Sequence, residues 1–481
     1  MKNKFLMLLP ITAATLLAAC GEGSGTTPQT DVGELTSETT ITFWHNMNDN
    51  YLAELTKIKA AFEKENPLVK VELVKQSGGY PDILSKTEEG IPADNYPDIF
   101  YGYPDSVQTL MNYGVVLDMD AYIDNAKHGW TAKEKADVVS DYLKEGQSYA
   151  VKGTYSLPLS KSTEAMYYNP RLIGLDLSKV DATINAGKPL TADYINNLTW
   201  DELFDKLCPA LKTYNDGLAA DAKLYTPNAD GKSGIVGYDS DGNLFITLAE
   251  QYGYGYTSVD QVTGAGKLDF INDGMKGLMK KFNKAVKDGY FCTGGTCGQG
   301  YTNSYTTGGN ALFAIGSTAG LSHQYTSTYT CNIARIPHAA GKDPKVINQG
   351  PSVAFLDHKN SQRALASWLF YKYWTNTANA TTWAITTSYL PIRKSVFTSD
   401  AWTAYLGTTN PDTDEKMLIT QSEYVQEVSS ELYSSPVFKG SSEARVQVES
   451  LTTQALSNAN LDDATLNTLF QTAYDNTLKR M

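Results

Sequence analysis

Between residues 39 and 101 the hydrophobic positions change period several times. Ile41-Thr-Phe-Trp-His45 is a short β-prone run, and after it Leu52, Leu55, Ile58 and Phe62 recur every three or four residues, the spacing of one helix face. Asn66-Pro67 ends that helix, because proline disfavours the α region for the residue before it. Val69, Val71 and Leu73 then alternate with charged residues, as a strand does. A second helical pattern opens at Tyr80 after Gly78-Gly79, and Pro97-Asp-Ile-Phe-Tyr101 returns to a strand. Strands alternating with helices in this order predict a parallel sheet flanked by helices.

The pattern persists downstream. Residues 149–159 and Met166-Tyr-Tyr-Asn169 read as extended, and Thr199-Trp-Asp-Glu202 is a capping box that opens a helix. Ala311-Leu-Phe-Ala-Ile315 is a buried-type strand running into Gly316-Ser-Thr-Ala-Gly320, a strand-to-helix turn. Helical patterns cover 270–286, 363–374, much of 417–434 and 461–479. No repeat of fixed period occurs.

The N-terminus is of a different kind. Lys2 and Lys4 precede a mostly apolar run from Phe5 to Leu17, and Leu17-Ala-Ala-Cys20 closes it. That run is too short to span a bilayer and reads as a secretion signal over 1–19. Residues 20–38 are small and polar, a flexible tether. About 440 residues remain, enough for two lobes of roughly 200 each. Without the two leader lysines the net charge falls from −13 to −15, which argues against a nucleic-acid partner. In an exported chain the four later cysteines permit disulfides. Cys292-Thr-Gly-Gly-Thr-Cys297 closes a tight loop and is the favoured pair, with free thiols or another pairing as the alternatives.

Leu17-Ala-Ala-Cys20 resembles the lipobox of bacterial lipoproteins, which implies acylation of Cys20 and a lipid anchor at the outer face of the cell membrane. The body resembles the extracellular solute-binding proteins of ABC importers for sugars and glycerol phosphates. Ile41-Thr-Phe-Trp-His45, Pro97-Asp-Ile-Phe100, Leu157-Pro-Leu-Ser-Lys-Ser-Thr163 with Met166-Tyr-Tyr-Asn169, Phe313-Ala-Ile-Gly-Ser317 and Ser388-Tyr-Leu-Pro-Ile392 carry the likeness in order. The resemblance implies an α/β fold of two lobes, each a mostly parallel sheet flanked by helices, with the ligand between them. It places 39–160 with 329–356 in the first lobe and 161–328 with 357–481 in the second. It implies a monomer that captures a small polar solute for permease subunits and needs no cofactor.

The chain is most similar to the glycerol-3-phosphate-binding branch, through Trp44-His45 with Met47, Ser162-Thr163, Tyr389 and Arg445-Val446. The ligand-contact residues this implies are Tyr80, Ser162, Thr163, Ser317, Gly350, Tyr389 and Arg445, with Trp44 and Phe245 as apolar faces. Two departures stand out. Pro104 with Asp105 replaces the expected acid, and Gly237-Tyr-Asp-Ser-Asp-Gly-Asn-Leu-Phe245 offers Phe245 where a tryptophan pair is expected. Capturing a polyol needs convergent donors and acceptors with an aromatic platform, while a phosphate needs a forked cation and backbone N–H groups. Arg445 supplies the fork, unless it pairs instead with Glu443 or Glu449. Asp239-Ser-Asp-Gly-Asn243 with Glu250 mimics a calcium loop, but its glycine falls at position four rather than six, so no metal is expected. No nucleophile elbow, zinc-protease or phosphate-loop motif occurs. The rival readings are a carbohydrate- or ester-active hydrolase and a structural or adhesive lipoprotein.

Overall fold

The computed structural model describes residues 32–260, 263–408 and 413–481. Cys20, the secretion signal and the tether up to residue 31 lie outside them. The first strand, Thr39–His45, turns Ile41, Phe43 and His45 to one buried face. Helix Asp49–Glu65 begins where the Asn48 side chain accepts from the Tyr51 N–H at 2.9 Å, and it buries Leu55, Ile58 and Phe62. Val69–Lys75 then pairs in parallel with the whole of Thr39–His45, the expected strand–helix–strand unit.

Two five-stranded sheets carry the two lobes. The first runs Val69–Lys75, Thr39–His45, Ile99–Gly102, Ser352–Phe355, Leu157–Pro158, and the second Asn332–Ala334, Glu164–Tyr168, Phe313–Ser317, Val236–Tyr238, Phe291–Thr293. Neither is mostly parallel. In each, two pairings are parallel and two antiparallel. The physical reason is where the chain enters. Ser352–Phe355 and Glu164–Tyr168 arrive directly from the other lobe, so each starts at the cleft end: Ser352 pairs with Gly102, and Glu164 with Ser317. They therefore run against the strands that reach the cleft at their C-terminal ends.

The lobe boundaries also differ from those expected. Asn332–Ala334 pairs with Glu164–Tyr168, and Val346–Ile347 with Leu432–Tyr433, so residues 332–347 belong to the second lobe. Helices Ser361–Trp374 and Thr377–Thr387 pack on the first: Phe43 meets Trp374 at 5.5 Å and Phe62 meets Phe370 at 5.2 Å between ring centres. Arg363 grips the buried Asp98 carboxylate there, with contacts of 2.6 and 2.8 Å. Part of the expected tether is also packed: Val32 is buried in the first lobe's core and Glu34 pairs with Lys127 at 2.5 Å. Among the described residues no helix is long and apolar enough to cross a membrane.

The crossings are bound to one another. Ser162 and Gln349 exchange backbone hydrogen bonds of 2.9 and 3.0 Å, and the Leu390 N–H donates to the Lys161 carbonyl at 2.7 Å. Gly350 sits at φ +93°, and a Cβ there would meet the Ser160 carbonyl at 2.2 Å. Only glycine tolerates both conditions. Lys161, fully buried, forms an ion pair with Glu145 and donates to the Gly350 carbonyl at 3.2 Å.

Candidate functional site

A cleft of about 620 Å³ lies between the lobes, within the roughly 300–1,000 Å³ of small-molecule sites. One wall is the start of helices Tyr80–Gly90 and Pro104–Met111. The opposite wall is the start of Asp241–Tyr252 and Ser441–Ser457, with Glu164 and Ser317 at strand ends. Asn348 and Gln349 of the second crossing lie between. Open α/β sheets bind ligands at such strand ends, where the connecting turns leave room.

One amide organises the second wall. Asn243 Oδ1 accepts from Arg445 Nη1 at 2.6 Å, while Asn243 Nδ2 donates to Glu164 Oε1 at 2.9 Å and Gln349 Oε1 at 2.8 Å. Glu164 also accepts from the Tyr238 hydroxyl. Burial pushes the Glu164 carboxyl up to about 7, against the lowering effect of Tyr238 and Asn243. Arg445 Nε stands 4.0 Å from Asp105 Oδ2 on the facing wall. Asp105, Glu145, Glu164, Asp239 and Glu449 line the cleft, against Arg445 as the cationic side chain.

Tyr80, Tyr103, Tyr256 and Tyr301 supply aromatic surface. Tyr80 is held edge-on by Tyr101 and Tyr103, at 5.6 and 5.1 Å. Tyr301 is 70% exposed on a loop clamped at both ends. Asp241 accepts from the Thr293 hydroxyl at 2.7 Å and the Gly295 N–H at 2.9 Å, and Asp239 from Thr302 N–H and hydroxyl at 2.7 and 2.8 Å. The calcium-like spacing of Asp239 and Asp241 thus serves to hold this loop.

Of the residues expected to meet ligand, Tyr80, Ser317 and Arg445 line the cleft. Ser162, Thr163 and Gly350 are not among its lining residues. They build the hinge, where the Thr163 hydroxyl donates to the Ile347 carbonyl at 2.8 Å. Tyr389 is buried beside Tyr80 and packed on Tyr51, with 5.7 Å between ring centres. Phe245 is fully buried among Phe270, Phe470 and Tyr256, because it lies on the core side of the helix that turns Asn243 to the cleft. Trp44 packs with a small apolar cluster in the first lobe, one strand position out of phase with Phe43 and His45. The 292–297 disulfide is absent and all four described cysteines are free. Thr293 and Thr296 cap each other, which winds Gly294–Cys297 into a helical turn and leaves Cys297 Sγ 3.4 Å from the Gly294 carbonyl. Sequence reasoning missed Glu164, Asn243, Tyr256, Tyr301, Asn348 and Gln349. Glu164 had a signal, a single acid opening an otherwise uncharged strand.

Comparison with known proteins agrees with this geometry. Over a limited stretch the chain is similar to the sn-glycerol-3-phosphate-binding periplasmic protein UgpB of Salmonella typhimurium, 26% identical over 137 residues, 28% of this chain. The matched stretch spans only 30% of that relative's length. The fold is similar to the cyclic α-maltosyl-1,6-maltose binding protein of Arthrobacter globiformis (TM-score 0.67, 16% identity, 92% of this chain and 100% of that one). It is also similar to UgpB of Mycobacterium tuberculosis in complex with glycerophosphocholine (0.64, 16%, 92% and 98%) and to MalE of Listeria monocytogenes in complex with maltose (0.61, 18%, 92% and 99%). The model of the family described as bacterial extracellular solute-binding protein matches residues 57–409. Two mixed α/β lobes around a polar, tyrosine-lined cleft, together with this match over most of the chain, establish that the protein belongs to the bacterial extracellular solute-binding protein family.

Proposed function

We propose that the chain is the solute-capture component of an ABC importer, anchored outside the cell membrane through acylated Cys20, and that its solute is a sugar rather than sn-glycerol-3-phosphate. The observation that carries this is the acid-rich lining of the cleft: five carboxyl groups line it against one arginine. Of these, Glu145 is paired with Lys161 and Glu164 is raised to about 7 by burial, while the arginine is already bonded to Asn243. A phosphate monoester would enter against like charges in a partly desolvated space, which costs binding energy. Sugar hydroxyls instead donate to carboxylates, and the C–H face of a sugar stacks on tyrosine. The lean to a glycerol phosphate drawn from sequence rested on the branch resemblance, with Arg445 as the fork, and did not bring Glu145, Glu164 and Asp239 into the same cleft.

Tyr80 and Tyr103 come from the first lobe and Arg445 from the second, so a solute touching both sides stabilises the closed form. Closure follows only from its greater affinity for that form. The reading is capture rather than turnover, which membership of the solute-binding family supports. A second reading, a glycerophosphodiester with a cationic head, is favoured by Arg445 and the acids sharing one cleft: the phosphodiester faces the guanidinium and the cation faces the carboxylates. Thermal unfolding of the mature chain with neutral sugars, sn-glycerol-3-phosphate and glycerophosphocholine tests the choice. A true ligand at 100-fold saturation stabilises by about 2.7 kcal/mol, and a shift with sn-glycerol-3-phosphate alone overturns the sugar assignment.

A further inference from the structure

We propose that Asp105 of the first lobe and Arg445 of the second hold one hydroxyl group of the solute between them, the carboxylate accepting its O–H and the guanidinium donating to its oxygen. The contact presupposes a solute in this cleft and specifies the group that solute presents between the two walls. Asp105 stands at the start of helix Pro104–Met111 and Arg445 on helix Ser441–Ser457, and both line the cleft. Asp105 Oδ2 and Arg445 Nε are 4.0 Å apart, with side-chain exposures of 18% and 35%. That separation is too long for a hydrogen bond, but it suits one bridging oxygen. An oxygen about 2.8 Å from each atom subtends roughly a right angle, open enough for a hydroxyl to donate to one side and accept from the other.

Both sides have that capacity unused. Asp105 Oδ1 accepts from the Ser106 N–H at 2.9 Å, and Arg445 Nη1 donates to Asn243 at 2.6 Å. Oδ2 and Nε have no hydrogen-bond partner among the described residues, and neither atom is buried. The bonds already made orient both groups and leave the free atoms facing each other across the cleft. Tyr103 of the first lobe and Tyr256 of the second lie around the same point. Burial raises both phenols, and the charges of Arg445 and Asp105 then act on each. The chemistry of the pair is selective. An unprotonated phosphate oxygen has no hydrogen for Asp105, and an ammonium group has no lone pair for Arg445. A hydroxyl has both.

The test is calorimetric titration of wild type, Asp105→Ala, Arg445→Ala and the double variant with maltose and with glycerophosphocholine. Each single variant is expected to bind roughly tenfold or more weakly. The double variant should lie within about threefold of the weaker single one, because both changes remove bonds to the same hydroxyl. Unchanged or tighter binding in Asp105→Ala overturns the contact and leaves Asp105 a plain ion-pair partner of Arg445. Losses that multiply in the double variant overturn it too, since the two groups would then hold separate parts of the solute. Should wild type bind neither probe, the assigned solute class fails, and a high-resolution crystal structure of the unliganded protein decides the bridge separately. An ordered water bonded to both Asp105 Oδ2 and Arg445 Nε supports it. A direct bond between the two side chains, or no oxygen bridging them, overturns it.

Discussion

Asn243 holds Arg445: the amide oxygen accepts from Nη1 at 2.6 Å, while the amide nitrogen is bound to Glu164 and Gln349. The guanidinium is therefore aimed by three residues of its surroundings before any solute arrives. Its 35% side-chain exposure leaves it open to the cleft. Arg445→Ala is expected to weaken solute binding roughly 10- to 100-fold by calorimetry, with unfolding free energy within about 1 kcal/mol of wild type, since a half-exposed pair contributes little to stability. Arg445→Lys should not restore affinity, because an ammonium lacks the planar fork.

Gly350 is where the hinge segments touch. A methyl group there would lie 2.2 Å from the Ser160 carbonyl and force a β-carbon into φ +93°. Gly350→Ala should cost on the order of 3 kcal/mol, as overpacking and left-handed strain combine. Urea denaturation measures it, and a loss below about 1 kcal/mol would show that the crossings separate easily.

The Lys161–Glu145 pair is buried on both sides, with side-chain exposures of 0% and 6%. Removing the cation alone strands a carboxylate, a loss typically of about 3–5 kcal/mol. Lys161→Met should unfold at correspondingly lower urea concentration, and adding Glu145→Gln should recover most of the loss. Equal stability of the single and double variants would mean that Glu145 is not charged in the folded protein.

Glu164 predicts a pH dependence of defined sign. Its folded-state carboxyl is raised from 4.5 to about 7 by burial, so between those values the folded state binds more protons than the unfolded state. Stability contributed by this group therefore falls as pH rises through that window, by at most about 3 kcal/mol. In Glu164→Gln the fall is absent, so the variant's stability minus that of wild type should climb from pH 4.5 to 7 and then level off. A flat difference across that range would contradict the burial of an ionisable Glu164.

The local elements were legible in sequence because local rules decide them. The period of Leu55, Ile58 and Phe62 and the alternation of Val69 and Val71 suffice to predict the first strand–helix–strand unit. Lobe membership was not legible for 332–347 or 361–374. Helix Ser361–Trp374 buries Trp368, Phe370, Tyr371 and Trp374, yet an apolar helix carries no mark of which sheet it will cover. Motif likeness led to the right region at Ser162, Thr163, Gly350 and Tyr389, but hydrogen bonds to Ile347 and to other hinge segments commit them to support. Tyr301 and Asn348 were invisible for the opposite reason. Each is an ordinary loop residue until Asp239 and Asp241 clamp the one and Glu145 orients the other.

The most direct measurement of solute capture is calorimetric titration of the mature chain with neutral mono- and oligosaccharides, maltose among them, beside sn-glycerol-3-phosphate. One neutral sugar should bind with single-site stoichiometry and at least roughly 100-fold tighter than sn-glycerol-3-phosphate, because the carboxylates repel the phosphate. Tighter binding of sn-glycerol-3-phosphate than of every neutral sugar would contradict a cleft built by its acids to receive hydroxyl groups.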